Sequence, residues 1–168
     1  MTAAILRGAF GRDATEQETE KHRQRFLQCL RQGAHEIREI CGAHEFLARV
    51  IAAGWRVGII TGAWSESAQI KLKAAGLADF GLPMVCCDQI DARPEIVRGA
   101  IGNDVDRVVL FGDGVWDVAA AQQNGIGFVG IGKGYAAQRL RERGATEVFE
   151  DYADGDRVFA AMLRCAAR

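Results

Sequence analysis

From residue 55 onward, apolar runs and helically spaced stretches take turns along the chain. Residues 55–60 read as a strand leading into Thr61-Gly62, and Ser65 is placed to cap a helix over 66–75 that Gly76 closes. A short strand follows at 84–87. Pro94 at a first helical position opens a helix through about Ile101. Strand 107–111, helix 115–124 closed by Gly125, strand 126–131 and helix 135–143 stopped by Gly144 come next. Val148-Phe149 reads as a last short strand, and 157–166 as a last helix. The run Val108-Val109-Leu110-Phe111 is apolar without alternation, the pattern of a parallel strand covered on both faces. Strand and helix in strict succession predict an α/β fold, a Rossmann-like parallel sheet with helices on both sides and right-handed crossovers.

The front of the chain breaks this rhythm. Thr15 to Glu18 spells Ser/Thr-x-x-Glu, a capping box, and opens a helix to about Arg31 with an apolar face of Phe26, Leu27 and Leu30. A second helix covers about 43–53, with Phe46, Leu47, Val50 and Ile51 on one side and Gly54 after it. The first ~50 residues thus form a helical element apart from the alternating part.

Composition narrows the class. The chain has 168 residues, 49% apolar and 26% charged, with a formal net charge of −1. That suits one ordinary domain and gives no reason to expect a nucleic-acid or membrane partner. No apolar run reaches the ~18 residues that span a bilayer. The first ten residues carry Arg7 and no signal-peptide pattern. The five cysteines, Cys29, Cys41, Cys86, Cys87 and Cys165, are odd in number and lack metal-ligand spacing. They read as small buried hydrophobes of a protein in a reducing cytoplasm.

The candidate chemistry sits at strand ends. Gly112-Asp113-Gly114 follows the apolar run, and Asp117 comes four residues later on the first turn of a helix. Glycines on both sides of Asp113 would let the backbone turn sharply. The carboxyl edge of a parallel sheet is where open α/β folds bind ligands. Two hard oxygen donors this close suit Mg2+, which one or two carboxylates hold together with substrate phosphate and water; a solvated turn with a capping Asp is the plain alternative. Thr61-Gly62 offers a hydroxyl and backbone amides to a phosphate oxygen, with the helix at Ser65-Glu66 pointing its positive end the same way; a simple capping turn would look the same. Arg93 before Pro94 could balance phosphate and carboxylate charge, or be a solvated loop arginine.

Other signals carry less. Residues 127–133 spell Gly-x-x-x-x-Gly-Lys, near a P-loop, but Gly134 replaces its Ser/Thr and the motif falls inside a strand, so Lys133 reads as facing solvent near the site. Gly130-Ile131-Gly132 lacks the rest of a dinucleotide fingerprint. His22, His35 and His44 have no partner pattern and read as exposed. Trp116 either shapes the pocket or packs its helix.

Together these residues resemble the haloacid dehalogenase-like hydrolase superfamily, in its phosphoglycolate-phosphatase-like branch with a helical cap. Ile59-Ile60-Thr61-Gly62 is similar to that family's second motif, and the following Lys71-Leu72-Lys73-Ala74-Ala75-Gly76-Leu77 resembles the helix after it. Residues 91–97, Asp-Ala-Arg-Pro-Glu-Ile-Val, resemble the third, and Gly112-Asp113-Gly114-Val115-Trp116-Asp117 is a specific match to the fourth, Gly-Asp-x-x-x-Asp. The resemblance covers about residues 15–165. It implies that Thr61 and Gly62 bind phosphate and that Arg93 steadies phosphate and nucleophile. It further implies that Asp113 and Asp117 serve Mg2+ and that the substrate is a small phosphorylated metabolite. It also implies a partial helical cap over 1–42 and an α/β core over 43–168.

The family's first motif, an apolar strand ending in Asp-x-Asp with the nucleophile, has no match. Asp104-Val105-Asp106 precedes its strand, Asp154-Gly155-Asp156 follows an acidic stretch, and Asp88 and Asp91 are spaced wrongly. In the family that strand is central, between strands 55–60 and 107–111. Its burial is worth roughly 10 kcal/mol, comparable to a domain's net stability. The expectation is a truncated or mis-started chain, with strand closure, a donated strand or a homodimer as other ways to fill the gap. A phosphatase-type hydrolase with little activity of its own is therefore expected. A non-catalytic ligand-binding or interaction protein is the alternative.

Overall fold

The structure is a computed structural model that describes residues 7–86, 93–101 and 105–166. Helix α1 (Glu16–Gly33) starts at the expected capping box: Thr15 Oγ1 accepts the Glu18 N–H, and the Glu18 carboxylate accepts the Thr15 N–H. Helix α2 (Ala43–Ala52) follows a 3-10 turn and buries Phe46 and Val50. The alternating part then runs β1 (Ile59–Ile60), α3 (Ser65–Ala74), β2 (Met84–Val85), α4 (Arg93–Ile101), β3 (Val109–Gly112) and α5 (Val115–Asn124). It ends with β4 (Gly127–Ile131), α6 (Gly134–Glu142), β5 (Val148–Phe149) and α7 (Gly155–Ala166).

All strand pairs are parallel. β1 pairs with β2, Ile59 opposite Met84; β3 pairs with β4, Val109 opposite Gly127; β4 pairs with β5, Gly130 opposite Val148. Side chains alternate across the sheet plane. Val109 and Phe111 pack with Phe46 and Val50 of α2 and Val158 and Met162 of α7. Leu110 faces the other way, onto Val97, Ala120 and Ala121 of α4 and α5. Phe128 packs with Val118 of α5 and Leu140 of α6. The expected helices on both faces are therefore present, and they account for the lack of polar alternation in residues 108–111.

The sheet is interrupted where the sequence reading left a strand wanting. Strands β1 and β2 form one sheet and β3, β4 and β5 another, with no ladder between β1 and β3 among the described residues. The two sheets still lie side by side. Ile60 shares a cluster with Leu110 on one face, and Trp55 and Val57 share one with Val109 and Phe111 on the other. The facing edges follow from the ladders. The Ile59 and Thr61 N–H groups donate to Pro83 and Val85, so Ile60 turns its amide group away from β2. The Val108 carbonyl accepts from Gly127, so Val109 and Phe111 turn theirs away from β4. The strands do not close up and pair directly. Residues 55–58, expected as strand, accordingly lead into β1 without joining a ladder, because a strand needs a neighbour on which to register.

Three smaller expectations change. Helix α3 begins at Ser65 with Trp64 at the capping position, so Ser65 is not the cap. Pro94 is the second residue of α4, which starts at Arg93. Cys29 and Cys41 are exposed rather than buried, whereas the strand expected over the Gly-x-x-x-x-Gly-Lys run is present as β4. Cys87, Asp88, Asp91 and Asp104 lie outside the described residues.

Candidate active site

The fourth-motif loop leaves β3 at Gly112 and enters α5 at Val115. Asp113 is exposed at the strand's carboxyl end, and Asp117 on the first turn of α5 is 1% exposed. Asp117 Oδ2 accepts the Gly114 N–H at 3.2 Å, so the second acid reaches back and clasps the loop that carries the first. The glycines do something other than turn the chain. Neither Gly112 nor Gly114 has positive φ, and Gly114 is extended at φ −109°, ψ 148°. A Cβ on Gly112 would stand 2.6 Å from Asp117 Cβ and Oδ2. A Cβ on Gly114 would stand 2.1 Å from Trp116 Cε2. Both positions are glycine for close approach, which a sequence shows only as permissiveness.

The Thr61-Gly62 loop leaves β1 in the corresponding way. Thr61 Oγ1 accepts the Ala63 N–H at 3.1 Å, and the Thr61 N–H is used in the ladder to Val85. The Thr61 and Ala63 amides are therefore engaged within the protein. A hydroxyl that accepts from Ala63 keeps its own proton to donate elsewhere. No described residue lies within 4 Å of where a Gly62 Cβ would stand, so the loop is open towards the described part of the chain. Residues Ile60 and Leu110, just before the two loops, share one apolar cluster. Arg93 begins α4, and its side chain lies outside the described part of the structure.

Helix α1 is seated on this loop. Trp64 meets Phe26 edge-on at 5.8 Å and His22 at 6.4 Å, and Arg23 donates to Glu66 at 2.7 Å. All three histidines are exposed, as expected. Lys133, at the end of β4, is exposed and 3.5 Å from Glu150.

Tyr152 escaped the sequence reading. It follows β5, its backbone N–H donates to Cys41, and its ring stacks on Phe46 at 5.1 Å and tilts against Phe111 at 6.2 Å. Burial, with a further contribution from the Asp113 charge, pushes its phenol up to about 12. An aromatic in an acidic loop gives no local sign of such a place. The Asp154/Asp156 pair has other duties: Asp154 accepts the Arg157 N–H at the start of α7, and Asp156 binds Arg49 at 2.6 Å. A cavity of about 280 Å³ lies at the other end of β4, near Gly125, Gly127 and Cys165, away from these loops.

No group of three or more acidic, His or Cys side chains that could hold a metal occurs among the described residues. Two carboxylates, one exposed and one buried in a clasped loop, still match what Mg2+ asks of a protein.

Parallel strands flanked by helices, with a Thr-Gly loop and a Gly-Asp loop at their carboxyl ends, define a Rossmann-like hydrolase core. The chain belongs to the haloacid dehalogenase-like hydrolase family, whose model matches residues 4–131. Within it the chain falls in the phosphoglycolate-phosphatase-like branch. It is 31% identical over 118 residues to a phosphoglycolate phosphatase of Rhodospirillum rubrum, covering 67% of this chain and 49% of that protein. It is 26% identical over 147 residues to one of Caulobacter vibrioides, covering 83% of this chain and 62% of the relative. The crystal structure of a hydrolase from Pseudomonas syringae superposes with a TM-score of 0.77 at 25% identity, covering 94% of this chain and 75% of that one. The chain thus spans about half to three-fifths of the length of these curated relatives.

Proposed function

We propose that this chain carries the phosphate-binding and metal-binding part of a Mg2+-dependent phosphomonoester hydrolase acting on a small phosphorylated metabolite. The observation that carries the reading is the clasped loop of Asp113, Gly114 and Asp117 at the carboxyl end of β3. Asp113 and Asp117 would hold the ion, which when bound offsets charge developing on the phosphoryl oxygens. The Thr61 hydroxyl and the open Gly62 backbone would receive the phosphate, and Arg93 would add a cation beside it.

The nucleophile is the missing part. Hydrolysis in this family begins with a carboxylate attacking phosphorus, and water then releases the phosphate. Neither Asp-x-Asp in the sequence, at 104–106 or 154–156, follows an apolar run. We infer that the interval between β1 and β3 is the seat of the strand that would bring it, and that the chain alone turns over substrate very slowly. The interrupted ladder supports this reading. The same interruption supports a second one, in which the loops bind a ligand and the open edges bind a partner, a second copy of the chain among them.

The test is phosphate release from p-nitrophenyl phosphate with Mg2+, run beside calorimetric binding of inorganic phosphate. Mg2+-dependent phosphate binding that Asp113→Ala removes, with negligible turnover, is the expected result. Robust turnover abolished by Asp113→Ala would place the nucleophile within these residues. Phosphate binding indifferent to Mg2+ and to Asp113 would favour the second reading.

A further inference from the structure

We propose that Trp116 is a specificity-determining residue of this site, giving a flat apolar surface to the organic part of the phosphomonoester; this rests on the phosphatase reading above. Three observations lead there. The indole follows Asp113 by three residues and lies against the backbone of Gly114, where any side chain would collide with it. Its position is therefore set by the loop that carries the acids. The ring is nevertheless 51% exposed, although Asp117 beside it is buried to 1%. A large aromatic seated against the loop backbone yet left half open, beside two carboxylates at a strand's carboxyl end, is arranged to be covered by a ligand.

The contrast with nearby aromatics sharpens this. Tyr135, on the first turn of α6, is also exposed, but its ring lies beside Arg139 of its own helix, 5.9 Å from the guanidinium. Trp64, beside the Thr-Gly loop, is covered by His22 and Phe26. Among these three, only Trp116 combines a seat on the metal loop with an open face. An indole discriminates by area and polarisability. It favours a planar or aromatic organic group over a compact, strongly hydrated one. The substrate class inferred is thus a phosphomonoester with a flat, partly apolar leaving group, in contrast to the short acid in the names of the relatives above.

The experiment uses the whole chain with Mg2+ and two probes, inorganic phosphate and p-nitrophenyl phosphate, titrated by calorimetry into wild type, Trp116→Ala and Trp116→Phe. Trp116→Ala is expected to weaken p-nitrophenyl phosphate by roughly threefold to tenfold and inorganic phosphate by less than about twofold. Trp116→Phe, which keeps a ring, is expected to recover most of the loss. Equal weakening of both probes, or none for the aryl ester, overturns the role given to Trp116 while leaving the phosphate site standing. Failure of the wild type to bind either probe overturns both.

Discussion

Asp117 accepts the N–H of Gly114 at 3.2 Å, and that bond ties Asp117 to the loop that carries Asp113. Asp117→Ala deletes the acceptor, whereas Asp117→Asn keeps an oxygen and removes only the charge. The alanine variant is expected to lose about 1–2 kcal/mol in chemical denaturation, the size of a lost helix cap, and the asparagine variant less than half of that. Both should lose Mg2+-dependent phosphate binding. Equal destabilisation of the two would show that the bond to Gly114 is not what holds the loop.

Gly112 and Gly99 should respond to alanine with opposite signs. At Gly112 the new methyl would stand 2.6 Å from Asp117, and a cost of about 1–3 kcal/mol is expected from overpacking. At Gly99, inside α4, no described residue outside the helix lies within 4 Å, and a gain of about 0.5–1 kcal/mol is expected from better helix propensity. Paired urea melts of the two variants measure this.

The seating of α1 on the Thr-Gly loop should be carried by Trp64 more than by the ion pair. Arg23 and Glu66 are both partly exposed, so a double-mutant cycle should give a coupling of about 0.5 kcal/mol that shrinks with added salt. Trp64→Ala removes the contacts to Phe26 and His22 and should raise amide exchange across α1 more than Arg23→Ala does. The reverse order would assign the seating to charge.

Tyr152 predicts a loss of stability in alkali. Its folded value, about 12, lies above the ordinary 10, so its neutral form is favoured in the folded state. That contribution is complete below pH 10 and declines as pH rises from 10 towards 12. Tyr152→Phe should flatten the fall of stability over that window. Asp113→Asn should lower the phenol's midpoint in an absorbance titration, because Asp113 is its second cause.

Glu18 predicts the opposite behaviour in acid. The Arg12 guanidinium, followed by the Thr15 N–H, brings its carboxyl from the usual 4.5 down to about 2. Its contribution to the start of α1 is present above 4.5 and fades as pH falls towards 2. Backbone amide shifts of residues 15–19 should report fraying in that range, and Glu18→Gln should fray at neutral pH as well.

Particular elements show how much could be read in advance. The capping box at Thr15 and Glu18 and the limits of α5, 115–124, are local matters, settled by residues within one turn of each other. The loops of Thr61-Gly62 and Asp113 were legible because an apolar run stops abruptly at each. Residues 55–58 were misread as strand, since pairing depends on a neighbour far along the chain. Trp64 at the start of α3 escaped for a similar reason: its place is made by Phe26 and His22, about 40 residues away.

By itself, the order of apolar and polar residues determined the α/β class, the helices on both faces and the chain positions of the acids, because burial on two faces and capping leave local marks. Only tertiary structure decided that β1 and β3 stand apart with facing edges, that the Asp113 charge bears on the Tyr152 phenol, and that Gly112 and Gly114 are seats for Asp117 and Trp116. These are matters of approach between atoms, and side-chain volume meets its neighbour only after the chain has folded.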